Sequence, residues 1–390
     1  MKILSYLLLT AVLLLASCSN NNKKTDTSAL NHIFDLKNIK DTISLSLSNL
    51  ITDVSFVRIE TSDKILISEG DWLVGDKYIV VHERKQGIFQ LDKKGGFIRQ
   101  LTIMGNGPHD TNNALMALND NNDQLIVYRG RKRSNLLNIN LNTGEFLNDI
   151  PMNIEAGHIC DMYILNDTVI TCATIAGSSS NGNGYYFFSQ NFSGDLIDTI
   201  PIKHRVMAHW NSEHRLIKIG NTLHYRPSNS DTIFTVIHNR FTPDYIFNSD
   251  CKGSHDKQKP GDVLFSLVAD TKRYFLLRKF VVDKIKPVEG GFATYYSNVG
   301  LIYVDKDKNK ASTVTSFKND FTGESSLSNP SPFQSNGYFV QPIQAIKILE
   351  LIKNAEENED LKISNREQFI DLKNKIDEND NPILLIGKLK

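Results

Sequence analysis

The feature that most constrains the fold of this chain is a sequence repeat with a period of about 50 residues. A glycine-containing turn recurs in similar surroundings at Gly95, Gly144 and Gly194, at spacings of 49 and 50 residues. Apolar hairpins broken by Asp, Asn or Gly precede the turns, as at 73–81 and 118–128. Asn, Asp and Gly accept the positive φ of tight turns. Two hairpins per period predict four antiparallel strands per repeat, the pattern of a β-propeller blade.

Three later copies of the repeat are looser. Residues 230–236 match the third strand of a fourth blade, 301–308 match the third strand and turn of a fifth, and 381–390 match a strand of a sixth. Six copies of this period fit the length of the chain. The sequence therefore predicts an all-β fold, a six-bladed β-propeller over residues 39–390.

A propeller has to close its ring, because an open blade would leave a bare strand edge. Residues 42–47 and 54–59 alternate between apolar and polar side chains ahead of the first complete blade. We expect one of these two segments to complete the blade that contains the C-terminal strand.

One stretch breaks the β pattern and predicts a small helical insertion in the last blade, at about 342–378. Apolar residues recur at helical spacing over 343–355, and Ser364 to Glu367 match a capping box ahead of a second helix. Their apolar faces are expected to pack on a blade or on a propeller face.

The N-terminus predicts export and a lipid anchor. Lys2 is followed by an apolar run that ends in Leu-Ala-Ser-Cys, a pattern that resembles a bacterial lipobox. The resemblance implies cleavage before Cys18 and acylation of its thiol; the alternative is an ordinary secretory leader. The predicted organisation is a signal peptide at 1–17, a flexible tether at 18–38, then the propeller.

The residues after Cys18 bear on which membrane holds the protein. Ser19 stands where Asp typically retains lipoproteins at the inner membrane, so the lipobox resemblance implies an outer-membrane anchor. Lys23 and Lys24 follow without an acidic cluster of the kind associated with surface export, which favours the periplasmic face of the cell envelope.

The composition limits the classes of partner that the protein is expected to bind. Lys plus Arg and Asp plus Glu both number 44, so no global field attracts nucleic acid. The basic run at 129–133 lacks interleaved aromatic residues and is interpreted as a solvated turn. Three cysteines remain after Cys18, and an odd number argues against a disulfide framework.

Several segments together resemble a known family. They are the segments 56–61 and 87–99, the glycine motif at 105–108 and the strands at 231–234 and 380–386. These resemble the six-bladed β-propeller lipoproteins of Gram-negative anaerobes, whose repeats are similar to the NHL type. The resemblance runs from about residue 40 to the end and implies a propeller. It lends no activity, since many members are classed as domains of unknown function.

Ligands of propellers gather at a mouth of the central channel, where the loops that enter the innermost strands converge. The sequence therefore offers a set of candidate ligand-binding residues on these loops: Gly107, His109, Asp110, His158, Asp161 and His209. His109 and Asp110 replace the Gly and Glu that the family usually carries after its Gly-Pro pair, so the chemistry of that loop departs from the family.

Two patterns raise the alternative of a metal site. His158, Cys160 and Asp161 are potential zinc ligands, but alternation along a strand points Asp161 away from the other two. His204, His209 and His214 converge only if their loop folds back on itself. A buried thiol and solvated histidines are the plainer interpretations. Cys160 and Cys172 flank a turn, so a disulfide between them is a further alternative.

The sequence carries no nucleophile-elbow, zinc-helix or paired Cys-x-x-Cys motif. It favours a membrane-anchored, non-catalytic binding or scaffold module for a glycan, a peptide or an envelope protein. No cofactor is predicted. The alternative is a propeller hydrolase or lactonase that depends on a divalent metal in the channel, and fold analogy alone does not decide between them.

Overall fold

The computed structural model describes eleven segments of the chain. These are residues 32–130, 134–152, 159–174, 185–201, 215–219, 222–227, 230–237, 240–250, 258–288, 291–324 and 334–390.

The described residues are mostly strands. In chain order they are β1 (His32–Asp35), β2 (Thr42–Ser46), β3 (Ile51–Arg58), β4 (Gly70–Val74), β5 (Tyr78–Glu83), β6 (Gly87–Asp92), β7 (Phe97–Ile103), β8 (Leu115–Asn119), β9 (Gln124–Tyr128), β10 (Asn135–Asn140), β11 (Ile150–Pro151), β12 (Ile159–Leu165), β13 (Val169–Thr174), β14 (Tyr185–Asn191), β15 (Leu196–Pro201), β16 (Arg215–Ile219), β17 (Thr222–Arg226), β18 (Thr232–Ile237), β19 (Arg240–Asn248), β20 (Val263–Asp270), β21 (Tyr274–Val288), β22 (Gly291–Asp305), β23 (Lys310–Lys318), β24 (Gln334–Ser335), β25 (Tyr338–Ile343) and β26 (Ile383–Leu389). The helices are α1 (Leu47–Leu50), α2 (Ala345–Glu357) and α3 (Arg366–Asp371), the last continued by a 3-10 turn at Leu372–Asn374.

These strands form the six blades that the repeat predicted. From the channel outward, the first five blades are β4 to β7, β8 to β11, β12 to β15, β16 to β19 and β20 to β23. The sixth is β24, β25, β26 and then β3. The first strands of neighbouring blades contact one another from blade six through blade one to blade five, around a central channel. The six-bladed fold class is therefore confirmed.

The ring is closed by an N-terminal strand. β3 pairs antiparallel with β26, with Val57 opposite Leu384 and Phe56 opposite Leu385. Of the two segments expected to close the ring, the second therefore does so. The first contributes β2, which pairs with β23 on the outside of blade five.

The predicted tether at 18–38 extends too far. Within it, β1 pairs parallel with β19 on the outside of blade four. Phe34 and Leu36 are 2% and 1% exposed, respectively, because their side chains pack in the core between blades four and five. The folded part therefore includes residues 32–38, and β1, β2 and β3 run along the outer edges of three successive blades.

The core is divided among the blade interfaces. In the described residues, six clusters of buried apolar side chains each lie between two neighbouring blades. One cluster contains Val80 of blade one with Leu125 of blade two, and another contains Trp72 of blade one with Ile386 of blade six. Each sheet buries both faces, which is why the strand centres are continuously apolar instead of alternating.

The backbone conformation of the turns explains why glycine residues mark the repeat. Gly95, Gly144 and Gly194 have φ of +88°, +80° and +84° at the turn before the outermost strand. Such a conformation favours glycine. At Gly95 a Cβ would also lie 2.0 Å from the carbonyl oxygen of Arg58 in β3, so this turn fits against the strand that closes the ring.

The helical insertion lies between β25 and β26, as predicted. α2 begins two residues later than the apolar pattern indicates, because Pro342 and Ile343 still pair with β26. The predicted capping box is wrong. Asn365 precedes α3 in the left-handed conformation, and the Ser364 hydroxyl donates to the Asp320 carboxylate at 3.4 Å.

Blade five carries an unusually long hairpin. β21 and β22 have 15 residues each, whereas β20 pairs with β21 only as far as Val281. Tyr295 and Tyr296, 45% and 41% exposed, lie in the extension.

Within the described residues, none of the helices combines the length and apolar character needed to span a bilayer.

Candidate functional site

The central channel contains a cavity of about 470 Å³. Its wall comes from the innermost strands β4, β8, β12 and β16, the turns after the first three of these, and the turn between β24 and β25. Five of the six blades thus border one space. A cavity formed where many elements converge is the usual place for a ligand.

The two ends of the channel differ in the loops around them. At one end, here called the entry end, the chain arrives at each innermost strand from the preceding blade. At the other, the turn end, the innermost strand of each blade turns into the second strand.

The turn end carries three carboxylates from successive blades: Asp76, Asp120 and Asp167. Asp120 Oδ1 accepts a hydrogen bond from the Asp76 backbone N–H at 3.0 Å, and the Asn121 amide donates to both Asp167 oxygens at 3.0 Å. The Tyr338 hydroxyl of blade six donates to Asp76 Oδ1 at 3.3 Å. The turns of four blades are therefore connected through carboxylates that border the cavity.

Asp120 is the most constrained of these groups. A Cβ at Gly75 would lie 2.0 Å from Asp120 Oδ1, so any larger residue there would displace the Asp120 carboxylate. Burial raises the pKa of Asp120 above its ordinary value, and the negative charge of Asp76 adds to the effect. Its carboxyl is thereby held nearer to the neutral, proton-donating form than an exposed aspartate.

Two lysines accompany the carboxylates. Lys218 borders the cavity from blade four and donates to the Ile164 carbonyl of blade three at 3.3 Å. Lys93 donates to the Gly75 carbonyl at 2.6 Å, with its ammonium 4.8 Å from the centre of the Tyr338 ring. Burial lowers the pKa of Lys93. A ligand in the channel would meet both donors and acceptors.

The first predicted mouth residues organise their own loop. The Gly107 backbone N–H donates to Asp110 Oδ2 at 2.7 Å. A Cβ at Gly105 or Gly107 would lie 2.2 Å or 2.7 Å from that oxygen. The loop does enter the second blade, as expected, but Gly107 and Asp110 do not border the cavity.

His109 is directed to the outer part of the blade. Its ring stacks on that of Phe146, with the centroids 3.9 Å apart and the planes 11° from parallel. Phe146 lies between the third and the outermost strand of blade two and packs against the core of the first two blades. His109 therefore stacks away from the channel.

Asp161 is the predicted site residue that borders the cavity. It lies on β12 at an irregularity in the pairing with β13, and its Oδ2 accepts the backbone N–H of Leu216 on β16 at 3.0 Å. The carboxylate thus joins the innermost strands of blades three and four. Its position supports both the ring and the channel wall.

The remaining histidine candidates, His158 and His209, lie outside the described residues, as do His204 and His214. The described part of the chain contains no group of three His, Cys, Asp or Glu side chains that could hold a metal ion.

Arg129, at the start of the basic run, donates to the Pro108 carbonyl and, at 3.0 Å, to Asn135.

Cys160 and Cys172 are free thiols. Cys172 lies in the core between blades two and three, whereas Cys160 packs against the core between blades three and four. The two side chains are on opposite faces of the sheet, which separates them. Burial strongly raises the pKa of the Cys172 thiol, so it is unreactive.

A buried ionic cluster between blades four and five was not predicted. Asp270 accepts from Lys306 Nζ at 2.6 Å, and its other oxygen is 2.7 Å from His224 Nδ1. His224 Nε2 lies 3.6 Å from Asp244, so both ring nitrogens face carboxylates. His224 is 7% exposed and does not border the channel cavity. The cluster fits a structural role.

The turn carboxylates have a signal in the sequence, but locally it indicates only tight turns. Asp76, Asp120 and Asp167 belong to the Asp and Asn turns that define the repeat. Because the repeat places each turn at the same level of the ring, one aspartate from each of the first three blades lies at one end of the channel. No local pattern marks the buried cluster, whose members are separated by 46 and 36 residues.

Comparison with solved structures supports the fold. A Bacteroides fragilis protein provisionally described as exported is 14% identical and has a TM-score of 0.62, covering 92% of this chain and 99% of its own. At that identity the similarity shows the fold alone. A Bacteroides thetaiotaomicron protein of unknown function (12% identical; 67% of this chain, 63% of its own) and BamB from Moraxella catarrhalis (10%; 67% and 77%) each have a TM-score of 0.36.

Comparison with curated proteins gives no match. A family model, in contrast, matches residues 32–388, from β1 to the last strand. Those bounds include the outer strands β1 and β2 as well as the blades. The chain belongs to the family described as domain of unknown function DUF4934.

Proposed function

We propose that the protein is a lipid-anchored, non-catalytic binding module of the cell envelope that holds a glycan, a peptide or a protein partner in its central channel. The observation that carries the proposal is the cavity of about 470 Å³, bordered by five blades and by charged groups of both signs. The enclosed surroundings of His224 favour binding over acid–base catalysis at the buried cluster.

Anchoring rests on the lipobox. Cys18 would carry the acyl chains, each buried methylene of which contributes about 0.8 kcal/mol to membrane retention. Residues 18–31 connect it to the first described strand and span at most about 50 Å when extended. The propeller would therefore stay close to the membrane, and the similarity to a protein described as exported fits that location.

Anchoring is tested by Cys18→Ala. We expect the wild-type protein to sediment with membranes and the variant to appear in the soluble envelope fraction. The folding stability of the two proteins should be the same. A Ser19→Asp variant serves as the sorting control and should move the anchored protein to the inner membrane. Continued membrane retention of the Cys18→Ala protein would contradict the anchor.

Channel binding is tested by photo-crosslinking in the producing bacterium. A benzoylphenylalanine at Asn121, on the turn after β8, borders the cavity. One at Lys272, on the equivalent turn of blade five, is the matched control because it is exposed and does not border it. We expect a discrete adduct only from position 121. Lys218→Met, which keeps the apolar stem but removes the ammonium, should lower its yield.

Two results would contradict the channel proposal. One is the same set of adducts from positions 121 and 272. The other is the absence of any adduct at position 121 in protein that is correctly folded and anchored.

A further inference from the structure

A second cavity lies outside the channel, at the entry end, where blades six and one meet. It has a volume of about 270 Å³ and is here called the seam pocket. Its walls are the loop and strand at 67–72, Arg84, Pro342, Gln344 and Pro382. It therefore lies at the junction where the N-terminal and C-terminal parts of the chain complete the ring.

The wall of the seam pocket is rigidly constructed. Asn381, which is 3% exposed, accepts the Ile67 backbone N–H at 2.6 Å and donates to the carbonyls of Glu60 and Ile65 at 2.7 Å and 3.0 Å. The Gln344 amide donates to the Ser68 carbonyl at 3.4 Å. These bonds link β26 and the helical insertion to the loop that enters blade one, so the cavity is preformed.

The polar lining mixes acceptors and donors. Glu69 and Asp71 contribute carboxylates, and Arg84 lies 3.7 Å from Asp71. Gln344 adds an amide. Two negative charges and one positive charge leave no strong preference for a charged ligand. Groups of both kinds are suited to hydroxyls, which donate and accept at the same time.

One buried group at the pocket lacks a hydrogen-bond partner among the described residues. Trp72 borders the pocket and is 6% exposed, and its indole N–H has no acceptor in the described part of the chain. His82, 2% exposed, is paired instead with the Asp71 carboxylate at 3.7 Å. A buried donor without an acceptor is costly and calls for a partner supplied from outside the chain. The N–H has almost no accessible surface, so an acceptor in the adjoining cavity reaches it only when the Trp72 side chain shifts.

We propose that the seam pocket binds one neutral sugar residue of a glycan. Its volume falls just below the range of about 300 to 1,000 Å³ that is usual for drug-sized ligands, so it suits a single ring. Carboxylates, guanidinium and amide match ring hydroxyls, while Trp72, Pro342 and Pro382 supply apolar surface for the C–H faces. The site is separate from the channel and does not depend on what the channel holds.

The chain offers a clean reporter for this site, because its two tryptophans are Trp72 and Trp210. Protein carrying Trp210→Phe and labelled with 5-fluorotryptophan gives one fluorine resonance, that of Trp72. The probes are glucose, galactose, mannose and N-acetylglucosamine, each titrated to about 10 mM, which saturates a site of millimolar affinity. Arginine amide is the cationic comparison ligand.

We expect at least one neutral sugar to shift the Trp72 resonance saturably. Asp71→Asn or Glu69→Gln should weaken that affinity about tenfold or more, since hydrogen bonds to charged groups are lost. Asp307→Asn, at an exposed carboxylate of blade five, is the matched control and should leave the affinity unchanged. Lys218→Met alters the channel and should also leave it unchanged, so failure of the channel proposal stays distinguishable.

The proposal is overturned if no sugar moves the Trp72 resonance of the folded Trp210→Phe protein. It is equally overturned if arginine amide shifts the resonance and competes better than every sugar, because the pocket would then be a cation site. The titration of the Trp210→Phe protein decides the matter even if an Asp71 or Glu69 variant fails to fold.

Discussion

Asp270 shows how strongly one residue can support the ring. Its carboxylate has no exposed surface, contacts Lys306 of its own blade and meets His224 across the interface of blades four and five. Asp270→Asn would remove the carboxylate that the buried Lys306 ammonium contacts directly and leave only the more distant Asp244, and burial already lowers the pKa of Lys306. We expect a loss of about 3 to 5 kcal/mol in the free energy of unfolding, measured by urea denaturation.

The matched control for this prediction lies in the same blade. Asp307 pairs with Arg273 at 3.3 Å, but both side chains are more than 60% exposed. Asp307→Asn should change the free energy of unfolding by no more than about 0.5 kcal/mol. Equal losses for Asp270→Asn and Asp307→Asn would remove the argument that burial makes the first pair important.

Asp120 and Asp123 lie in one turn and should respond to pH with opposite signs. Burial raises the pKa of Asp120, so the folded state binds more protons than the unfolded state just above the ordinary value of 3.8. Its contribution to stability therefore falls as pH rises through that window. The hydrogen bond from Lys77 lowers the pKa of Asp123, whose contribution is lost as pH falls below 3.8.

Two substitutions separate these effects. Asp120→Asn keeps an oxygen for the Asp76 N–H, so at neutral pH it should be neutral or stabilising by less than about 1 kcal/mol. Asp123→Asn should be destabilising at neutral pH, and its deficit should shrink in acid. Thermal unfolding of both variants from pH 3 to 7 checks this; slopes of the same sign would contradict the assigned surroundings.

At the scale of single residues, the sequence indicated which polar side chains lie on a loop better than it indicated where those side chains point. Gly107, Asp110 and His109 lie on a loop that enters blade two, as expected. Their roles depend on partners that no local pattern reveals, because His109 stacks on a ring 37 positions away. Gly and Asp mark tight turns as readily as they mark ligand sites.

At the scale of elements, β1 is the piece that the sequence assigned wrongly. Its neighbourhood is polar and short of apolar residues, which resembles a linker. Its two buried residues, Phe34 and Leu36, gain their contacts from blades that lie about 200 residues further along the chain. A strand stabilised only by such distant pairing leaves little local signal.

β1 offers a test in two adjacent residues. Phe34 is 2% exposed, whereas Ile33 is 61% exposed on the opposite face of the strand. Phe34→Ala should cost about 3 to 5 kcal/mol in unfolding free energy through the cavity it leaves. Ile33→Ala should cost less than about 1 kcal/mol. Similar costs for both would show that β1 is not packed on blade four.

At the scale of the whole molecule, the period of the repeat was sufficient to predict the number and order of the blades. It works because each blade packs mainly on its two neighbours, so the fold follows from local units repeated around a ring. Closure also followed from the need to cover a bare edge. The lining of the channel and that of the seam pocket did not follow from the repeat, because each is formed by residues from several blades.

The central claim is a closed ring, since both the channel and the seam pocket exist only if β3 seals blade six. Thr52 and Lys388 are exposed and directly paired across that seam. We place cysteines at both positions in protein with Cys18 and Cys251 replaced by serine. The separation of their Cα atoms should lie within the 4.4 to 6.8 Å range that a disulfide accepts.

The measurement is disulfide formation in the Thr52→Cys, Lys388→Cys protein, followed by mass spectrometry and thermal unfolding. We predict near-complete oxidation and stabilisation by as much as about 5 kcal/mol, because the bond closes a loop of more than 300 residues. The control pair is Thr42→Cys with Lys388→Cys, in which β2 pairs with blade five, and it should stay reduced. Free thiols at positions 52 and 388, or equal oxidation of the control pair, would contradict the closed ring.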